Sequence, residues 1–313
     1  MMNDNNNLPK TLQQAIRHFS DDLTCIQLVA SLRWSDGIAV CPRCENNQTS
    51  FLSTRKIWKC KACKKQFSVK VGTIFEDSPI PLDKWLTAMW LITNAKNGIS
   101  SYEIHRAIGI TQKSAWFLLH RIRLAMQNGS LDKLSGNVEV DETFIGGLAK
   151  NMHKHKREQK IQGRGSVGKT AVMGLLERKG RVTAKVVKNV NRETLHSEVK
   201  SNVETGSNLF TDEWRSYRGL SEDYIHEVIN HSIEYVRGNI HTNGIENFWS
   251  LLKRTIRGTY VSVEPFHLGR YLAEQTFRFN ERKGNDKERF LGALKAVSGK
   301  RLTYNELIGF GGQ

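Results

Sequence analysis

Four of the five cysteines stand in two tight pairs, Cys41-Pro-Arg-Cys44 and Cys60-Lys-Ala-Cys63, with fifteen residues between the pairs. Nothing else in the chain constrains its fold as strongly. A tetrahedral Zn²⁺ takes four thiolates. Each C-x-x-C knuckle offers two from one turn, and the segment between them folds back to bring the knuckles together. So short a segment has little core of its own, so the metal would supply folding free energy. One structural Zn²⁺ on Cys41, Cys44, Cys60 and Cys63 is expected, with no position left open for catalysis. The competing reading is a redox dithiol, which usually shows a single C-x-x-C beside a thioredoxin-like pattern. The opening MMNDNNNLPK has no apolar core of a secretory signal. A reducing cytoplasm is therefore expected, where paired cysteines favour metal over disulfides. Cys25 lies in an apolar helical pattern and reads as a small buried hydrophobe.

The 47 Lys and Arg outnumber the 31 Asp and Glu, a net charge of +16 over 313 residues, with a pI near 9.7. A chain this basic meets a polyanion, with nucleic acid first and an anionic membrane surface second. No apolar run of 18 residues exists, so a membrane span is not expected. Charge for solubility alone would be spread evenly, whereas here it is clustered. Arg55 to Lys70 hold seven Lys or Arg and no acid. Lys56, Lys59, Lys61, Lys64 and Lys65 read as phosphate contacts, against the alternative of a solvated basic face on a structural spacer.

The length allows two or three domains. Residues 1–36 read as helical, with apolar residues at three-and-four spacing in TLQQAIRHF and LTCIQLVASLRW. Residues 37–72 form the cysteine-bearing segment of short strands and turns. Residues 73–130 are helical again. PLDKWLTAMWLITNA carries an aromatic face, with Trp85, Trp90 and Trp116 expected in a core. GISSYEIHRAIGITQKSAWFLLHRIRLAM then reads as two helices broken at Gly109-Ile110, with Ser100 or Ser101 capping the first and Thr111 the second. That spacing resembles a helix-turn-helix. Gln112, Lys113 and Ser114 would face base edges, and Arg121 and Arg123 phosphates. From 131 to 282 strands alternate with helices: VEVDETFIGG, a hairpin turning at Lys179-Gly180, a helix in RETLHSEVKSNVE, strands in NLFTDEW and HEVINHS, and a helix GIENFWSLLKRTIRG ending at Gly258. Residues 283–313 read as a polar, weakly helical tail. The expected class is multidomain α+β: a zinc ribbon and helix-turn-helix, then an α/β domain compatible with a ribonuclease H-like fold.

Asp141 and Asp212 each follow a short apolar strand, and Glu246 lies on a helix, at gaps of 71 and 34 residues. A carboxylate aimed into a cleft is costly unless a cation or donor satisfies it. Three that converge could hold two Mg²⁺ ions about 4 Å apart, suited to in-line phosphoryl transfer. Lys253, seven residues beyond Glu246, lies on the same helix face and could hold a phosphate, and Trp249 could pack at the edge. For each acid alone the plain alternative is a solvated charge or cap, and Glu139, Glu142 and Glu213 show that acids are common here. His231 and His241 could orient a carboxylate or touch a phosphate, or be satisfied structural histidines.

These stretches together, with RWSDGIAVCPRC, FSVKVGTIFEDSPIPLDKW, GKTAVMGLLER, TDEWRSY and YLAEQTFRFNER, make residues 10–282 resemble bacterial insertion-sequence transposases with a zinc ribbon ahead of an Asp-Asp-Glu (DDE) core. The resemblance implies a ribonuclease H-like catalytic domain and Mg²⁺-dependent cutting and joining of strands in DNA recombination. It implies double-stranded DNA as partner, both at the element's terminal inverted repeats and at the target. Asp141, Asp212 and Glu246 map onto the catalytic acids and Lys253 onto the basic residue that follows. Some relatives carry Asn at the third position. Asn243 stands three residues before Glu246 on the same side of the helix. Lys61, Lys64, Lys113, Arg121 and Arg254 are the expected DNA contacts. Two DNA ends must be joined, so a homodimer or higher oligomer on DNA is expected, associated with a bacterial nucleoid. The alternatives are a DNA-binding regulator whose catalytic domain is decayed or reused, and a nuclease that only hydrolyses.

Gly163 to Thr170 matches the P-loop pattern G-x₄-G-K-T. A P-loop follows a buried strand and opens a helix. Here a basic polar stretch precedes the motif and an apparent strand follows it, so ATP binding is rejected. Residues 150–169 hold seven Lys or Arg and one acid, which suits a basic loop near DNA. His153 and His155 read as solvated.

Overall fold

Four of the early helices begin where a side chain can accept from an otherwise orphaned amide, the exception being the helix that starts after Pro81. Thr11 accepts from Gln14, Asp21 from Thr24 and Thr111 from Ser114, and Ser100 forms a reciprocal capping box with Glu103. The computed structural model of the protein describes residues 8–127, 132–147, 153–155, 158, 167–212, 215–229 and 241–310. These form two compact units, one of residues 8–127 with 281–310, the other of residues 132–280.

The first unit opens with α1 (Leu12–Phe19) and α2 (Asp22–Arg33), followed by an antiparallel three-stranded sheet in the order β1 (Thr49–Leu52), β2 (Ile57–Cys60), β3 (Gln66–Phe67). Trp34, Phe51, Trp58 and Phe67 cluster on this small sheet, with ring centroids 4.8–6.3 Å apart. Next come α3 (Leu82–Asn94), α4 (Ser101–Ile108) and α5 (Gln112–Met126). Gly109 sits at φ 61° and closes α4 in the left-handed region, which allows the tight turn into α5. Trp85 and Trp90 are buried, while Trp116 is only half-buried.

Two expectations for this unit need correcting. Arg121 and Arg123, assigned to phosphates, lie inside. Arg121 is 4% exposed, donates to the Glu76 carbonyl and lies over the Trp85 and Phe117 rings. Arg123 is 1% exposed. Helix periodicity could not show that this face is covered. The stretch after Lys283 is helical, as expected, but it packs into this unit rather than standing apart as a tail. It forms α9 (Asp286–Lys295) and α10 (Tyr304–Leu307), elements numbered in chain order after those of the second unit. Phe290 packs between Phe19 and Trp90 at 5.4 and 5.3 Å, and Lys300 donates to the Ala125 carbonyl at 3.1 Å.

In the second unit, β4 (Asn137–Ile145), β5 (Thr170–Glu177) and β6 (Val182–Val186) form an antiparallel run. The helix α6 (Arg192–Asn202) then leads to β7 (Asn208–Asp212) and β8 (Ile225–Ile229), which run parallel to β4. The sheet order is β6-β5-β4-β7-β8. Lys179 turns the β5–β6 hairpin at φ 63°. One sheet face buries Val138, Val140 and Leu209 under Leu195 and Val199 of α6. The other buries Val172 and Leu176 under α7 (Asn243–Thr255) and α8 (Leu268–Asn280). The helix α7 does not stop at Gly258 but widens into a π-helical turn, Ile256–Tyr260, where the Tyr260 hydroxyl donates to buried Glu274 at 2.6 Å. Among the described residues no helix is long and apolar enough to cross a membrane.

Candidate active site and metal centre

The β4–β7 ladder decides where the two aspartates meet. Its parallel register pairs Asn137 with Asn208, Val138 with Leu209 and Glu139 with Phe210. Side chains alternate along a strand. Two residues further along each strand, Asp141 and Asp212 therefore stand level on one face, the face that carries α7. Glu246 lies in the first turn of α7, where Thr242 donates to its Oε1 at 3.0 Å. One turn later, Trp249 Nε1 donates to Asp141 Oδ2 at 2.9 Å. Asp141, Asp212 and Glu246 line a cleft of about 600 Å³ together with Glu142, Lys253, Arg254 and Arg257. The three acids expected from the sequence thus share one cleft with Lys253 and Arg254. Asn243 opens α7, is exposed and does not line the cleft.

The close approach of helix to sheet depends on a missing side chain. Gly174 of β5 pairs with Asp141, and a Cβ there would stand 2.6 Å from the Trp249 ring and 2.9 Å from Ile245. Gly174→Ala is expected to destabilise the protein by about 1–3 kcal/mol through overpacking. Urea unfolding would measure this, and a change under about 0.5 kcal/mol would show that Trp249 moves aside freely.

Glu139 is a functional neighbour that sequence reasoning passed over as one acid among many. It is 1% exposed. Its Oε1 accepts from Arg178 Nε at 2.8 Å, and its Oε2 accepts from the Ile245 amide at 2.9 Å. A carboxylate at the start of a helix satisfies orphan amides and complements the helix dipole. Glu139 therefore clamps the first turn of α7 to β4, two residues from Asp141. Gly244 makes room for it, since a Cβ there would fall 2.8 Å from Glu139 Oε2. Arg178 also donates to the His241 carbonyl at 2.6 Å, and His241 Nδ1 lies 3.3 Å from Glu139 Oε1. His241 thus belongs to this clamp. His231 and residues 163–166 of the P-loop-like stretch lie outside the described residues, but Thr170 opens a strand rather than a helix. His153 and His155 are exposed.

The cleft holds its carboxyls against their preference to ionise. Burial, then the charge of Asp212, pushes Asp141 up to about 6. Burial also pushes Glu142 up to about 7, with Asp212 and Asp141 adding to it and the Tyr217 hydroxyl opposing it. Burial pulls Lys253 down, with the Asp141 charge opposing. The folded chain holds these carboxyl protons more tightly than the unfolded chain does. Stability therefore falls as the pH climbs from the ordinary carboxylate range through about 7. A cation in the cleft would offset that loss.

The cysteines close more tightly than the acids. Cys41 and Cys63 Sγ lie 3.7 Å apart, Cys44 and Cys60 Sγ 3.6 Å, and all four lie within 4.8 Å of one another. A Zn–S bond of about 2.3 Å puts tetrahedral sulfurs about 3.8 Å apart, so the set fits one Zn²⁺. In both knuckles the residue after the second cysteine, Glu45 and Lys64, takes positive φ, 57° and 61°. The four cysteines are the only such group among the described residues; the acids line a common cleft without closing on one another. Cys25 is fully buried and its thiol is pushed up to about 12, chiefly by burial. Lys61, Lys64 and Lys113 are exposed, with Lys113 over the Tyr304 ring.

Residues 133–280 match the ISXO2-like transposase domain and residues 20–66 the transposase zinc-ribbon domain. An uncharacterised protein in the transposable element ISH50 of Halobacterium salinarum is 26% identical over 252 residues, covering 76% of this chain and 84% of that one. An uncharacterised transposase-like protein of Haemophilus influenzae is 35% identical over 103 residues, 33% of this chain and 83% of that one. A chain in the cryo-EM structure of the simian T-cell lymphotropic virus intasome in complex with PP2A regulatory subunit B56 gamma aligns at 16% identity. It covers 55% of this chain and 60% of that one, at a TM-score of 0.26, too loose a likeness to carry an argument. With its ribbon cysteines gathered and its transposase domain matched along the second unit, the chain belongs to the zinc-ribbon-bearing, ISXO2-like family of transposases.

Proposed function

We propose that this transposase cuts and joins DNA strands through Asp141, Asp212 and Glu246, which hold two Mg²⁺ ions in a ribonuclease H-like domain. The observation that carries this reading is the pair of aspartates level on adjacent parallel strands, Asp141 midway along β4 and Asp212 at the end of β7, beneath a helix that lays a glutamate over the same cleft. An antiparallel hairpin continued by two parallel strands, with helices on both faces, supports the ribonuclease H-like assignment. The raised carboxyls fit a cation site, because buried acids that share one cleft and feel each other's charge gain from a positive charge between them.

Bound divalent cations would activate the attacking hydroxyl or water and stabilise the leaving oxygen. The protein's own groups do the rest. Trp249 fixes Asp141 and Thr242 fixes Glu246, so the acids are held in place before substrate arrives. Lys253, Arg254 and Arg257 line the same cleft and meet the phosphates on either side of the reacting one. Lys61, Lys64 and Lys113 supply exposed positive charge for duplex binding on the ribbon and helix-turn-helix. Two ends are joined by at least a dimer on DNA.

The test is a Mg²⁺-dependent reaction on duplexes carrying the element's own terminal repeats. Joined products are expected. Hydrolysis without joining would support the nuclease reading, and binding without chemistry the regulator reading.

A further inference from the structure

We infer that the Tyr217–Glu142 hydrogen bond is a strap that positions Asp141 and Asp212 for divalent cations; this rests on the reading of the site proposed above. The backbone ladder between β4 and β7 ends at Glu139–Phe210, two residues short of both aspartates. Beyond it, a side-chain bond does the tying. Glu142 follows Asp141 on β4, and Tyr217 ends the 3₁₀ turn Arg215–Tyr217 that comes after Asp212. The Tyr217 hydroxyl donates to Glu142 Oε2 at 2.5 Å.

The bond is well placed to be stiff. Tyr217 is 1% exposed, with its ring among the apolar side chains of the α6 face, including Leu195, Val199 and Leu220. Those neighbours offer its hydroxyl no acceptor, so the phenol is held to the Glu142 carboxylate. A phenol donating to a carboxylate makes a short, charge-assisted bond. By strand alternation Glu142 points to the face opposite Asp141. It still lines the same cleft, which lies past the last residue of β7, Asp212, where β4 runs on toward Ile145 with β5 on one side only. Tyr217 and Glu142 are positioning residues, acting on the cations through the aspartates that neighbour them in the chain.

The experiment measures Mn²⁺ affinity of the full-length protein by calorimetry without DNA, at one pH. Wild type is compared with Tyr217→Phe, Glu142→Ala and Glu142→Gln. Tyr217→Phe and Glu142→Ala each cut the strap and are expected to weaken Mn²⁺ binding about 10–100-fold, as loss of an outer-shell partner does. Glu142→Gln keeps an acceptor for the phenol and is expected to stay within about threefold of wild type. Circular dichroism confirms the fold of each variant, and the Glu142 pair decides the question alone if Tyr217→Phe does not fold. A Tyr217→Phe affinity equal to wild type overturns the strap. So does a Glu142→Gln loss as large as that of Glu142→Ala, which would make Glu142 a ligand in its own right. Wild type that binds no Mn²⁺ would sink the metal reading itself, and the strap with it.

Discussion

Asp141→Asn, Asp212→Asn and Glu246→Gln each lower strand joining by at least about a thousandfold while DNA affinity stays within about threefold. The size follows from the several kcal/mol of charge stabilisation that metal sites supply, since about 4 kcal/mol corresponds to a thousandfold in rate. Asp141→Asn carries a second expectation with a definite sign. Its carboxyl is pushed up to about 6 by burial and by Asp212, so its charge is unfavourable in the cation-free fold near neutral pH. Asparagine keeps an oxygen for the Trp249 donor and removes that charge. The variant should therefore unfold at an equal or higher urea concentration than wild type, measured without metal at pH 7.5. A dead but stabilised protein marks an acid kept for chemistry. Retained joining would refute the assignment. Loss of joining together with loss of the fold would make Asp141 a structural acid.

Removal of zinc has the second largest expected effect, confined to one unit. The purified protein should carry one zinc per chain. Chelation, or Cys41→Ser, should release it and unfold the ribbon, whose stability draws on a metal-binding free energy of order 10 kcal/mol. Trp58 packs edge-on to Trp34, tilted against Phe51 and stacked on Phe67 at the small sheet, so its near-ultraviolet dichroism should collapse. The second unit has its own core on both faces of its sheet and should keep its calorimetric transition. DNA binding should weaken. A Cys41→Ser protein with full zinc content and an unchanged spectrum would show that the four sulfurs do not form the site.

The ribbon cysteines and the cleft-lining acids were legible because each rests on short-range chemistry. Two cysteines in one turn, or an aspartate directly after a short run of apolar strand residues, carry their signal in a few neighbouring residues. What was not legible depended on which face another segment covers. Glu139, Asp141 and Glu142 are neighbours in the chain, yet Glu139 clamps the start of a helix, Asp141 accepts from Trp249 in the cleft and Glu142 accepts from a buried tyrosine. Only the sheet register separates them. Arg121 and Arg123 read as outward cations because no local pattern shows that their side of α5 is covered. Gly174 gave no signal at all, because its reason is a tryptophan 75 residues later in the chain.

The order in which the parts of the chain leave the ribosome is at odds with the order in which they can be completed. Helices α1 and α3 are made early, but Phe290, which fills the space between Phe19 and Trp90, comes after the whole segment that matches the transposase domain. At about 5–20 residues per second, the delay after Trp90 is roughly ten to forty seconds. Over that interval two large aromatic side chains await their partner, while the later-made unit can already close on itself. A stop just after Asn280 would leave the most recently made helices intact and injure the oldest ones.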